Sequence, residues 1–158
     1  MKLLSVIVPA YNEEKTIATI LESIEKVELI QGVQKEVVVV DDCSNDATYA
    51  NLERYRAQSR LNIKYFKHTV NKGKGAAIRT GIEAALGNFV VIQDADLEYI
   101  PEEFNLLLEP ILAGHADVVY GSRFIGGRPH RILFFWHTLG NNFLTFVSNM
   151  FTNLILTD

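Results

Sequence analysis

The chain has almost no cysteine. Cys43 stands alone among 158 residues, which excludes an internal disulfide framework and fits a reducing compartment. Proline occurs only four times, and no low-complexity linker or internal repeat interrupts the chain. Basic runs are missing as well. With a formal net charge of −4, general nucleic-acid binding is not expected. Met1-Lys2 leads straight into an apolar run, without the h-region and cleavage site of a secretory leader, so a cytoplasmic protein is expected.

Several catalytic signatures are absent. No Gly-x-Gly-x-x-Gly follows the first strand-like run, which counts against a dinucleotide dehydrogenase. The loop Asn71-Lys72-Gly73-Lys74-Gly75 looks phosphate-binding, with Lys74 as its candidate ligand. It nevertheless lacks both the spacing of a P-loop and the hydroxyl residue after the lysine. No Gly-x-Ser-x-Gly nucleophile elbow occurs, and the four histidines show no metal-ligand spacing. Charge is missing over a long stretch: Ile132 to Thr157 contains no Asp, Glu, Lys or Arg. That length suggests a membrane span. However, Thr138, Asn141, Asn142, Thr145, Ser148, Asn149, Thr152 and Asn153 recur at helical spacing, and hydrocarbon would leave their polar groups unsatisfied. The stretch reads as an amphipathic helix with a break at Gly140, lying on a protein core or at a membrane interface. The chain stops at Asp158 without a C-cap, which suggests a fragment.

What is present is an alternation of apolar strands and helices. Leu3–Val8, Val37–Val40, Asn62–Phe66, Phe89–Gln93 and Asp117–Tyr120 read as strands. Helices are expected over Glu13–Val27 with Asn12 as N-cap, over Asp46–Gln58 capped by Ser44 or Asn45, over Ala76–Leu86, and from Pro101 to about Gly114 with a kink at Pro110. The alternation predicts an α/β fold, three-layered, around a mostly parallel sheet. At 158 residues with a hydrophobic fraction of 48%, one ordinary domain can bury a real core. One α/β domain is expected over 1–131 and a helical segment, the start of a further C-terminal part, over 132–158.

Loops after parallel strands gather along one sheet edge, where such folds bind ligands. The sharpest of them is Gln93-Asp94-Ala95-Asp96, where an apolar strand ends in two carboxylates one residue apart. Side chains two apart share one side of an extended chain, so both can serve one site. A hard cation removes their mutual repulsion, and Mg²⁺ is commonly held by one or two carboxylates plus substrate phosphates. Glu98 is a further oxygen ligand within reach. In Pro9-Ala10-Tyr11-Asn12-Glu13, a ring beside a carboxylate can stack on a base and hold a ribose hydroxyl. In Asp41-Asp42, a carboxylate can accept a base N–H. In Gly121-Ser122-Arg123, glycine permits close approach and the guanidinium can grip a diphosphate with two hydrogen bonds. Cys43 reads as a small filler, and His137 as structural.

Together the segments VIVPAYNEE (6–14), VVVVDDCSNDAT (37–48), NKGKGAAIRTG (71–81), QDADLE (93–98) and GSRF (121–124) resemble the family 2 glycosyltransferases. The likeness is nearest to dolichol-phosphate mannose and glucose synthases and to bacterial polyprenyl-phosphate relatives. The resemblance implies a GT-A type, Rossmann-like fold. It implies that Pro9, Ala10, Tyr11 and Glu13 form the nucleotide-binding opening and that Asp42, in preference to Asp41, lies near the base. By the same likeness Asp94 and Asp96 match the metal and diphosphate motif, with Asp96 the primary ligand of Mg²⁺ or Mn²⁺. Glu98 stands where relatives often carry Gln. Arg123 matches a phosphate-gripping arginine and Arg131 a second one.

The implied reaction is inverting transfer of a hexose from a nucleotide-diphosphate sugar, of the GDP-mannose or UDP-glucose type, to a polyprenyl phosphate at the cytoplasmic membrane face. Peripheral membrane contact and self-association are the expected partnerships. A hydroxyl acceptor would need a carboxylate base, for which Asp158 is the terminal candidate, whereas a lipid phosphate is already ionised. Other readings are weaker. A nucleotidylyltransferase would carry a Gly-rich, Arg-containing loop after the first strand, and a signalling receiver domain has no use for a second acidic pair. A non-catalytic nucleotide-sugar-binding fragment is the remaining alternative.

Overall fold

A computed structural model of the chain describes residues 1–121 and 135–152. The chain divides into two compact units, Met1–His115 and Ala116–Asp158. The first contains β1 (Leu3–Ala10), α1 (Ile17–Lys26), β2 (Gln34–Asp41), α2 (Thr48–Arg56), β3 (Asn62–Lys67), α3 (Lys74–Ala84), β4 (Phe89–Ile92) and α4 (Phe104–Leu112). The four strands form one all-parallel sheet in the order β3-β2-β1-β4. The chain moves outward from β1 to β2 to β3, and α3 then carries it back to the other side of β1. The order therefore reverses between β1 and β4, which is where open parallel sheets bind ligands.

The valine-rich strands are apolar on both faces because both are covered. On one face Leu4, Val6, Val8, Val37 and Val39 meet Ile17, Ile20, Leu21 and Ile24 of α1, Leu52 of α2, and Phe104 and Leu108 of α4. The α1 stripe recurs at three- and four-residue steps and is at most 1% exposed. Fully burying each such side chain contributes roughly 1.5–3 kcal/mol. On the other face α3 lies against Val38 and Val40 through Ala77. Gly81 sets how closely it lies: a Cβ there would stand 2.4 Å from Ile7 Cγ2.

Sequence and structure part in several places. The first helix begins at Ile17 rather than Glu13, and Asn12 is not its N-cap: Asn12 has φ +57°, and Thr16 occupies the cap position without a side-chain cap bond. Ser44 and Asn45 do not cap α2, whose N-cap position is Ala47. α3 starts two residues earlier than expected, at Lys74, directly after Gly73 at φ +85°. Pro101–Glu103 forms a separate 3₁₀ turn before α4, which runs through Pro110. Asp117–Tyr120 is not a strand: no described strand pairs with it, and Val118 and Tyr120 are exposed. A strand needs a ladder partner to satisfy its backbone.

The second unit contributes α5 (Phe135–Thr152), which runs unbroken through Gly140. An interior glycine costs roughly 1 kcal/mol relative to alanine and does not by itself end a helix. Leu139, Phe143, Leu144, Phe146, Met150 and Phe151 of α5 are exposed. Among the described residues, no helix is long and apolar enough to cross a membrane.

Candidate functional site: a cleft at the sheet's switch point

The C-terminal edge of the sheet opens into a cleft of about 310 Å³. Pro9, Ala10, Tyr11 and Glu13 line it from the end of β1, Asp42 from the end of β2, Asn71, Gly73, Lys74 and Ala77 from the start of α3, and Asp94, Ala95 and Asp96 from the end of β4. Four segments well apart in sequence thus meet at one point. Asp41 is fully buried beside the cleft, accepting hydrogen bonds from the Ser44 N–H at 2.7 Å and the Tyr65 hydroxyl at 2.8 Å. That bond and burial push the Tyr65 phenol well up, burial being the larger cause.

The first two loops are stitched to one another. The Asn12 N–H donates to Ser44 Oγ at 2.9 Å, and the Asn45 N–H donates back to Asn12 Oδ1 at 3.0 Å. The Glu13 N–H donates to Thr48 Oγ1 at 2.7 Å, and the Glu14 N–H to Asp46 Oδ2 at 3.1 Å. The Ala47 N–H donates to Glu14 Oε2, and Asn51 Nδ2 to the Glu14 carbonyl. Residues that locally read as helix caps are therefore taken up by long-range bonds. Burial raises the Asp46 carboxyl, but the Thr48 hydroxyl and N–H outweigh it and hold the group below the usual carboxylate range. Tyr11 projects with 47% exposure at the cleft, and the Glu13 carboxylate accepts the Thr16 hydroxyl.

Asp42 is 3% exposed and accepts four contacts. His68 Nδ1 lies 2.6 Å from Oδ1, the Lys72 N–H reaches both oxygens at 2.9 and 3.1 Å, and the Gly73 N–H reaches Oδ2 at 2.6 Å. Burial raises this carboxyl, yet the Lys72 N–H, His68 and the Gly73 N–H together bring it below its ordinary value, so the group is an anion. The sequence reading singles out the loop at 71–75 but not His68. The available signal was His68 directly after a strand, at the same sheet edge as the acidic loops.

The fourth loop is held by buried Gln93, whose Nε2 donates to the carbonyls of Asp94 and Tyr99, both at 3.1 Å. Lys74 Nζ reaches Asp94 Oδ2 at 2.6 Å. Asp96 is exposed toward the cleft, and its Oδ1 accepts the Glu98 N–H at 3.0 Å. Glu98 does not line the cleft. Among the described residues, no three acidic, His or Cys side chains converge as a closed metal cage. Two cleft carboxylates nonetheless suit Mg²⁺ or Mn²⁺, which hard oxygen donors hold with substrate phosphates completing the shell. Arg123, Arg131 and Asp158 lie outside the described residues.

A parallel sheet with a reversal beside β1, and a cleft of carboxylates and one lysine at that reversal, define a doubly wound α/β ligand-binding fold, and the solved structures similar to it are GT-A glycosyltransferases. Residues 5–149 match glycosyl transferase family 2, and the chain belongs to that family. It is 36% identical over 123 residues to a dolichol-phosphate mannosyltransferase of Pyrococcus furiosus, an alignment covering 78% of this chain and 34% of that protein. Among solved structures it is similar to TarS of S. aureus in complex with UDP-GlcNAc, at 40% identity and a TM-score of 0.58, covering 72% of this chain and 30% of that one. It is also similar to the mannosyltransferase PcManGT of Pyrobaculum calidifontis in complex with GDP-Man and Mn²⁺, at 37% identity and a TM-score of 0.53, covering 59% and 27%. The chain thus spans about a third of the length of these relatives.

Proposed function

We propose that the chain carries the donor-binding machinery of a metal-dependent inverting glycosyltransferase that moves a hexose from a nucleotide-diphosphate sugar to a polyprenyl phosphate. The observation that carries this is the convergence of Tyr11, Glu13, Asp42, Lys74, Asp94 and Asp96 on one cleft. Tyr11 and Glu13 receive the nucleoside, through ring stacking and a hydroxyl bond. Asp94 and Asp96 would hold Mg²⁺ or Mn²⁺. When bound, the ion neutralises charge developing on the departing diphosphate. Lys74 supplies a further positive charge, and Arg123 and Arg131 are assigned to the phosphates by their place in the family pattern.

The similarity to a dolichol-phosphate mannosyltransferase supports the lipid phosphate as acceptor. Such an acceptor is already an anion and needs no base. The uncharged α5, with Phe143, Phe146 and Phe151 exposed, supports peripheral contact with the membrane holding that lipid. The similarity to TarS, a poly(ribitol-phosphate) beta-N-acetylglucosaminyltransferase, favours a second reading, a hydroxyl acceptor, which would need a base such as Asp158.

The test is sugar transfer from GDP-mannose and UDP-glucose to polyprenyl phosphate, compared with polyprenol and with a saccharide, in Mn²⁺ and in EDTA. Transfer to the phosphate alone, lost in EDTA and in Asp96→Asn, is expected. Transfer to a hydroxyl acceptor alone would overturn the acceptor, and nucleotide affinity indifferent to EDTA would overturn the metal.

A further inference from the structure

His68 is a buried histidine that the proposed chemistry does not use. It is 8% exposed and sits just beyond β3. Its Nδ1 faces Asp42 Oδ1 at 2.6 Å, and its Nε2 faces Thr80 Oγ1 at 2.9 Å. An ionised carboxylate offers only lone pairs, so Nδ1 is the donor in the first bond. The Thr80 hydroxyl, on α3, holds the far side of the ring. His68 is thereby fixed at both nitrogens.

The position matters because of what Asp42 holds. Among the described residues, the segment 70–73 makes its long-range hydrogen bonds to Asp42 alone, through the Lys72 and Gly73 N–H groups. Gly73 is the N-cap residue of α3, at φ +85°, and Lys74 follows it with Nζ 2.6 Å from Asp94. A chain of contacts therefore runs from Thr80 through His68 and Asp42 to the Lys72-Gly73 backbone and on to Lys74. Its last member stands at the diphosphate end of the cleft. The carboxylate has about four lone-pair sites, and these donors leave roughly one for a nucleobase.

We propose that His68, backed by Thr80, is a positioning residue for the donor nucleotide, fixing Asp42 so that it clamps the Lys72 and Gly73 amides and presets Lys74 beside Asp94 before ligand arrives. The inference rests on the donor-binding reading of the cleft. Without the clamp, the loop samples other arrangements, and apparent affinity falls by the fraction that stays competent.

The experiment measures two things in wild type, His68→Ala, His68→Asn, Thr80→Val and Asp42→Asn: hydrogen exchange at the Lys72 and Gly73 amides without ligand, and calorimetric affinity for GDP and for UDP with Mn²⁺. His68→Ala and Asp42→Asn should lose amide protection and bind about tenfold more weakly, as when one molecule in ten keeps the ordered loop. Asn places its amide nitrogen where His carries Nδ1, so His68→Asn should restore both readouts. Thr80→Val should lose part of each, and it carries the test if His68→Ala does not fold. Unchanged protection in His68→Ala or Thr80→Val overturns the clamp. Weaker binding with intact protection overturns the route through the loop. A wild-type protein that binds neither nucleotide overturns the functional reading and with it the donor half of this inference, while the amides still decide whether the clamp exists.

Discussion

Gly81→Ala isolates the fit that positions the cleft's lysine loop. Gly81 lies in α3, where alanine is intrinsically better than glycine by about 1 kcal/mol. An added Cβ would stand 2.4 Å from Ile7 Cγ2, 3.3 Å from Cγ1 and 3.4 Å from Cβ. Ordinary contact begins near 3.4 Å, so helix and strand must part by about 1 Å at this point. Ile7 is 0% exposed, lies in a β-strand and is stiff at χ1, so it cannot swing aside. Overpacking of this kind costs about 1–3 kcal/mol, which exceeds the propensity gain at all but its lower end. The expected net is a loss of about 1 kcal/mol, or some 2–4 °C in Tm for a chain of this size. α3 also carries Gly73 and Lys74 into the cleft at its first turn, so nucleotide affinity should fall with stability. Chemical denaturation of Gly81→Ala, Ile7→Ala and the double variant gives the cycle. Ile7→Ala alone should cost about 2–5 kcal/mol. The double variant should be more stable than the sum of the two predicts, because the second change removes the atoms that the first one strikes. A Gly81→Ala protein as stable as the parent, or strict additivity, would refute the close-packing account.

Stability should fall in acid, because Asp42 and Asp46 both sit below their unfolded carboxyl values. Groups depressed in the folded state contribute stability above the unfolded value of about 3.9, and that stability is lost as pH drops through it toward the folded values. Urea midpoints at pH 7 and pH 3 should differ less in Asp46→Asn than in the parent; an equal difference would remove Asp46 from the account. The cleft also sets four carboxylates, Glu13, Asp42, Asp94 and Asp96, against Lys74. Without a divalent cation UDP should therefore bind no tighter than uridine, and with Mn²⁺ the order should reverse. Calorimetry with both ligands in EDTA and in Mn²⁺ decides this, and tighter UDP binding in EDTA would contradict it.

The strands were legible because their code is local: Val37–Val40 and Leu3–Val8 are apolar runs that only a doubly covered strand accommodates. The cleft edge was legible for the same reason, since Asp42 and Asp94–Asp96 each follow such a run. The errors concentrate where partners are distant in sequence. Asn12, Ser44 and Asn45 have the chemistry of helix caps, and local preference places them there. They bond instead across a separation of 32 or 33 residues, which no local pattern encodes. His68 was missed similarly, because its meaning comes from Asp42, 26 residues away. Asp117–Tyr120 has strand composition, but strand formation depends on a neighbour that composition cannot name.

The same long-range bonds explain how a ligand-ready edge survives on loops. Each of the four loops that line the cleft contains one residue in the left-handed region: Asn12 at φ +57°, Cys43 at +67°, Gly73 at +85° and Leu97 at +64°. For the three that are not glycine this costs on the order of 1 kcal/mol each or more. Such strain persists only where the surroundings over-determine the backbone. Reciprocal bonds between the first two loops do this for Asn12, and Gln93 does it for the turn carrying Leu97 by binding carbonyls on both sides of it. The bonds that look merely structural therefore fix where Glu13, Lys74, Asp94 and Asp96 meet. Weakening a stitch such as Asn12–Ser44 is the same physical act as blurring the site.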